Sequence, residues 1–193
     1  VTRSTSNPPR DTAADQTAPP FAYAPNAHRE PIILSPTTEF IGCLLRSTLT
    51  DARTALGLVA DDDMPLPLER YALRLIRELV TRGVAPSAAA VLQHALTTAD
   101  TTEQLHREEL TGHVIDAMLG ATAENLNWMA AAVLENAYRR AGVEYATRLR
   151  QAAEEASLDD YEHVLGDRDR LRDLWRRHRI AAGDTTVQEV GAA

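Results

Sequence analysis

The sequence predicts an all-α protein, a compact bundle of short helices followed by a long antiparallel helical hairpin. Three observations predict it. Apolar residues make up 44% of the 193 residues and aromatics only 5%, and much of the apolar content is alanine, the strongest helix former. After Pro86 the chain contains no proline, so nothing of that kind breaks a helix interior. From Pro36 onward apolar residues recur at spacings of three and four, with almost no strand-like alternation.

The elements follow in order. Residues 1–35 hold Pro8, Pro9, Pro19, Pro20, Pro25 and Pro31 among Ser, Thr, Asn and Ala, a composition too poor in apolar surface to fold, and are expected to be a disordered tail. Within it Phe21–Tyr23 and Ile32–Leu34 read either as docking peptides or as chain lying loosely on the adjacent domain. Residues 36–122 form the bundle. Its first helix starts at Ser35-Pro36-Thr37, with proline suited to the first turn and Glu39 near the positive helix end, and carries Phe40, Ile41, Leu44 and Leu45. A short helix with Ala52, Ala55, Leu56 and Val59 follows, then a loop from Asp61 to Pro67. A third helix spans about 68–82 and stops at Gly83, a fourth lies near 87–97, and a fifth near 103–119 ends at Gly120.

Residues 123–182 form the hairpin. Leu134, Tyr138, Ala141, Tyr145, Leu149, Ala152 and Ala156 give one apolar stripe, which predicts a single long helix over about 123–156. Ser157-Leu158-Asp159-Asp160 supplies a turn and an N-cap, and Tyr161, Val164, Leu165, Leu171, Leu174 and Trp175 mark the returning helix, ending near Gly183. Residues 183–193 are expected to be a frayed tail.

Charge and cysteine content exclude several function classes. The 20 basic residues are all arginine, and against 28 acidic residues they leave a net charge of −8. No global basic field exists to hold duplex DNA by counterion release, so direct duplex binding is not expected. Cys43 is the single cysteine, which rules out an intramolecular disulfide and a cysteine zinc site, and suits a reducing cytoplasm. No stretch approaches the apolar length of a membrane span or a secretion signal.

Catalytic, cofactor and metal residues are expected to be none. A phosphate loop requires the lysine this chain lacks, and its glycines make no dinucleotide-binding run. Asp61-Asp62-Asp63 lacks the alternating ligands and distal glutamate of a calcium loop and reads as a solvated acidic loop. His106, Glu109 and His113 stand at helical spacings of three and four, close enough for metal ligation, yet exposed polar positions explain them equally well. One segment departs from the acidic average. Between Asp167 and Arg179, Arg168, Arg170, Arg172, Arg176, Arg177 and Arg179 stand against three aspartates, with Trp175 among them. Three readings stay open there: arginines favoured by the helix C-terminus, a dock for an acidic protein surface, and phosphate contacts. Arg168, Arg172, Arg176 and Arg179 are the expected partner-binding residues. Tyr138, Tyr145, Leu149, Leu171 and Trp175 form an apolar face long for the domain that covers it, and are the expected self-association residues of a homo-oligomer, a dimer in the simplest case.

Four stretches carry a likeness. Glu39-Phe40-Ile41-Gly42-Cys43-Leu44-Leu45, Glu69-Arg70-Tyr71-Ala72 through Leu79 to Ala85, Val91-Leu92-Gln93-His94-Ala95-Leu96, and Ala121-Thr122-Ala123-Glu124-Asn125-Leu126-Asn127-Trp128 into Val133–Arg140 together resemble the N-terminal domain of the DnaB-type replicative DNA helicases over residues 36–180. The resemblance implies a noncatalytic collar module that pairs with copies of itself through the hairpin and receives a primase or a loader. The family's motor domain, which holds nucleotide and DNA, is lacking in this sequence. The expected partner is therefore a replicative helicase or primase. Two other classes stay open: a small helical DNA-binding regulator, which wants a basic recognition helix, and a metal-dependent helical enzyme built on His106, Glu109 and His113.

Overall fold

Ser35 starts the ordered helices by accepting a hydrogen bond from the Thr38 N–H through its hydroxyl, while Pro36 occupies a position whose N–H would have no partner. The computed structural model describes residues 35–98 and 104–184, with no side chains described at 104–108. The expected tails, 1–35 and 183–193, lie outside the described residues except for Ser35, Gly183 and Asp184.

Every described element is helical, so the all-α class holds. The helices are α1 (Pro36–Arg46), α2 (Leu49–Leu58), α3 (Pro67–Thr81), α4 (Ala88–Thr98), α5 (Gln104–Met118), α6 (Leu126–Glu155), α7 (Leu158–Gly166) and α8 (Asp169–Ala181), with single 3₁₀ turns at Asp61–Asp63 and Ala123–Asn125. Gly83 and Gly120 close α3 and α5 with φ of 78° and 84°, a left-handed conformation that costs glycine little.

Helix α1 is the central element. Phe40 through Leu45 are all buried, because α1 packs on α3, α5 and α6 at once. The α1–α5 contact is so close that a methyl at Gly42 would overlap the Ala117 carbonyl oxygen. Polar ties hold the neighbours in register. Arg46 donates to the Met118 carbonyl at the end of α5 (3.1 Å), and His94 on α4 meets Glu78 on α3 (2.7 Å). Glu69 is only 1% exposed. Its carboxylate accepts hydrogen bonds from Thr37, from Ser35 (3.3 Å) and from the Leu66 N–H (3.3 Å), so one side chain caps α3 and fixes the start of α1.

The hairpin is rooted in this core rather than set beside it. Leu126, Met129, Ala130, Val133, Leu134, Ala137 and Ala141 of α6 are buried, as are Leu174 and Ala181 of α8. Past Ala141 no α6 residue is buried, and α7 has none. Three local differences from the sequence reading appear. The long helix begins at Leu126 after a 3₁₀ turn. The Asp61–Asp63 loop is a 3₁₀ turn with Asp63 buried. The returning helix is two helices, interrupted at Asp167-Arg168.

The interruption has a physical cause. Gly166 is the weakest helix former in the segment, and Asp167 leaves the helical region at ψ 74°. The carbonyl of Leu165, freed from the helix ladder, accepts hydrogen bonds from the Tyr145 hydroxyl (2.9 Å) and the Arg168 guanidinium (3.2 Å), while Arg148 pairs with Asp167 (3.1 Å). The Tyr145 side chain of α6 and Arg168 at the break itself thus take over what the backbone loses.

Candidate interaction surface

The expected self-association residues lie along the facing sides of α6 and α8, and several are engaged within the chain. Tyr138 and Trp175 meet with ring centroids 5.7 Å apart, and Trp175 stacks on His178 at 5.6 Å. Tyr145 uses its hydroxyl on the Leu165 carbonyl and its ring beneath the Arg168 guanidinium. Leu149 and Leu171 are half-buried, and Trp175 is 47% exposed. The stripe is therefore continuous but partly covered by the hairpin's own helices.

The expected partner-binding arginines fall on the outer side of α8 and at its start. Arg172 and Arg176 are exposed, each beside an aspartate of its own helix: Asp169 at 3.3 Å and Asp173 at 2.6 Å. Arg168 is exposed and donates to Tyr145 and Leu165. Arg179 pairs with Asp184 and lies over the Trp175 ring at 5.7 Å. Arg170 reaches Glu144 at 3.1 Å. Exposed pairs of this kind hold loosely, at about 0–1 kcal/mol each, so the guanidinium groups remain free to exchange an intrachain aspartate for a carboxylate on another protein.

Arg177 behaves differently from the rest of its run. Its guanidinium donates to Asp63 (2.5 Å), Asp173 (2.8 Å) and the Leu58 carbonyl (2.7 Å), with side-chain exposure of 16% and, at Asp63, 4%. Burial by itself lowers the Arg177 pKa, but the hydrogen bond and charge of Asp63, with Asp173 behind it, outweigh this and raise it. At Asp173 burial pushes the carboxyl up, and the Arg176 and Arg177 guanidiniums together hold it below the usual range. Asp63 also accepts from the Ala60 N–H (2.7 Å), and its carbonyl takes the Arg140 guanidinium. This ties α6, α8 and the 3₁₀ turn at one point. Arg77 extends it, bonding Asp61 (3.1 Å) and the Leu56 and Val59 carbonyls (both 2.8 Å), and an open cleft of about 630 Å³ lies between the two arginines.

Sequence reasoning placed Arg177 with its solvent-facing neighbours and read the aspartates as solvated. The signal was present in the spacing, since Arg177 stands three residues after Leu174 and four before Ala181, on the apolar face of α8.

The remaining chemistry-bearing residues separate. His106 lies outside the described side chains. Glu109 is exposed, whereas His113 is half-buried with its Nε2 sealed from solvent and lacking a hydrogen-bond partner among the described residues. Burial lowers the His113 pKa despite the opposing charges of Glu69 and Asp116. Among the described residues no group of three or more His, Cys, Asp or Glu side chains is arranged to hold a metal ion. Cys43 is buried, and that burial raises its thiol pKa, the setting of an unreactive thiol. No described helix is long and apolar enough to cross a membrane. No family model, curated protein or solved structure matches the chain.

Proposed function

We propose that this chain is a noncatalytic interaction module of DNA replication, working in the cytoplasm, that binds a replicative helicase or primase through the Arg168–Arg179 side of the hairpin and self-associates through the hairpin helices. The observation that carries the reading is the hairpin itself: α6 and α8 are anchored in the bundle core at one end, while α8 presents Arg168, Arg172 and Arg176 to solvent around the half-exposed Trp175. Arginines beside an aromatic anchor are what a protein interface uses at its centre. The resemblance of residues 36–180 to the helicase N-terminal domain supplies the partner class. A net charge of −8 opposes approach to a nucleic-acid backbone, whereas the local arginines of α8 can still steer toward an acidic patch on a protein.

Purified helicase and primase from the source organism, each immobilised in turn, test the proposal. Capture of the wild-type chain by either one, and its loss in the Arg172→Glu, Arg176→Glu double variant with the helical circular dichroism unchanged, is the expected result. Capture undiminished in the double variant, or a mobility shift of duplex DNA at physiological salt, would overturn it.

A further inference from the structure

Among the described residues the most exposed aromatic side chain is Trp128 rather than Trp175 of the arginine face. Trp128 stands in the first turn of α6 and is 67% exposed. It lines a groove of about 580 Å³ between the start of α6 and the end of α8. Ala131 and Ala132, three and four residues further along α6, keep the groove floor low beside the ring. The opposite wall is His178 and the Ala181-Ala182-Gly183 terminus of α8, where Gly183 turns the chain at φ 82°.

Two carboxylates and one imidazole, that of His178, line this groove. Glu124 lines it, is exposed, and is paired with no cation among the described residues. Glu135 lines it as well, held by Arg139 at 2.6 Å. The C-terminal end of α8 brings the negative pole of a helix dipole and the start of α6 the positive one, so the helix ends favour neither sign. An indole face attracts a cation through its ring quadrupole. An unpaired carboxylate and an exposed tryptophan therefore favour the same guest.

We propose that this groove is a docking site for a protein segment that lays an arginine or lysine side chain over Trp128 and toward Glu124, with a neighbouring apolar residue on the Ala131-Ala132 floor. The site takes a positively charged apolar segment, whereas the outer face of α8 takes an acidic one, so the two surfaces are complementary to different partners. The inference does not depend on the replication reading.

The test uses the full chain and a fluorescein-labelled peptide, acetyl-Ala-Leu-Leu-Arg-Leu-Ala, followed by anisotropy, with the same peptide carrying Gln for Arg as reference. The Arg peptide is expected to bind at least about fivefold more tightly than the Gln peptide. Trp128→Ala and Glu124→Gln should each weaken it about threefold or more, while Val143→Ala on the distal, exposed part of α6 leaves it unchanged. Both key variants change exposed side chains, and circular dichroism checks that they fold. In a Trp175→Phe background, the single remaining tryptophan should be quenched freely by acrylamide and protected when peptide is added. Equal binding of the two peptides, no binding up to millimolar concentration, equal loss in Val143→Ala, or a Trp128 already shielded in the peptide-free chain, which means that another part of this chain or a second copy fills the groove, would each overturn the proposal.

Discussion

Two glycines in neighbouring helices set opposite expectations for the same substitution. At Gly42 a Cβ meets the Ala117 carbonyl and the Ala121 methyl, and backbone of a packed helix yields little, so Gly42→Ala should lower stability by about 1–3 kcal/mol. At Gly57, in α2, nothing lies within contact distance, and Gly57→Ala should raise stability by about 0.5–1 kcal/mol. Urea unfolding midpoints for the pair decide both. Arg177→Met leaves Asp63 buried beside the Ala60 N–H alone and should cost about 3–5 kcal/mol. Acid acts at two residues in separate windows. The His113 pKa is depressed on folding, so the unfolded chain takes up its proton first, and stability falls as pH drops below the ordinary histidine value of about 6.5. Asp173 is depressed too, but its contribution is complete above the usual aspartate value of about 3.9 and is lost only as pH falls below it. His113→Asn should flatten the first decline and leave the second, as unfolding curves at pH 7.5, 5.5 and 3.5 will show. At this scale the sequence was only partly legible: the cap at Ser35 follows from local chemistry, whereas the burial of Asp63 depends on an arginine 114 positions away.

Helix by helix, legibility follows the source of the signal. The Ser35, Gly83, Gly120 and Ser157 boundaries are local, and the helices start and stop there. The break at Asp167-Arg168 is not local, because it is held by Tyr145 and Arg148 from α6, and an apolar stripe running from Tyr161 to Trp175 reads as unbroken. The burial pattern of the hairpin yields an expectation of its own. Amide protons from Val143 to Gly166, a stretch without a buried residue, should exchange with solvent faster than those of α6 before Ala141 or of α8 from Leu174 to Ala181. Uniform protection from Leu126 to Ala181 in hydrogen-exchange mass spectrometry would mean that the distal hairpin is covered in solution.

For the molecule as a whole, the acidic average and the arginine side of α8 mean that the proposed partner binding should weaken as salt rises. Self-association through Tyr138, Tyr145, Leu149, Leu171 and Trp175 is expected to appear in light scattering as a dimer at micromolar concentration, and a monomer throughout that range would count against it. Since Tyr138 and Trp175 already contact each other at 5.7 Å, the interface left for a second copy is smaller than the sequence stripe suggests. The all-α class was legible because it rests on periodicity summed over many residues. The role of the arginine segment was not, because one run of six guanidiniums contains a buried structural member, Arg177, and exposed ones, Arg172 and Arg176, which composition treats alike.

The tie between Asp63 and Arg177 also orders events at the ribosome. Synthesis delivers α1 to α6 with the Asp63 carboxylate formed but its cation still untranslated, so the nascent bundle carries an open acidic notch until α8 emerges. Closure of the core at Asp63 thus waits on α8, the last described helix, and released chains truncated before Arg177 or continued past α8 should differ sharply in their resistance to pulse proteolysis.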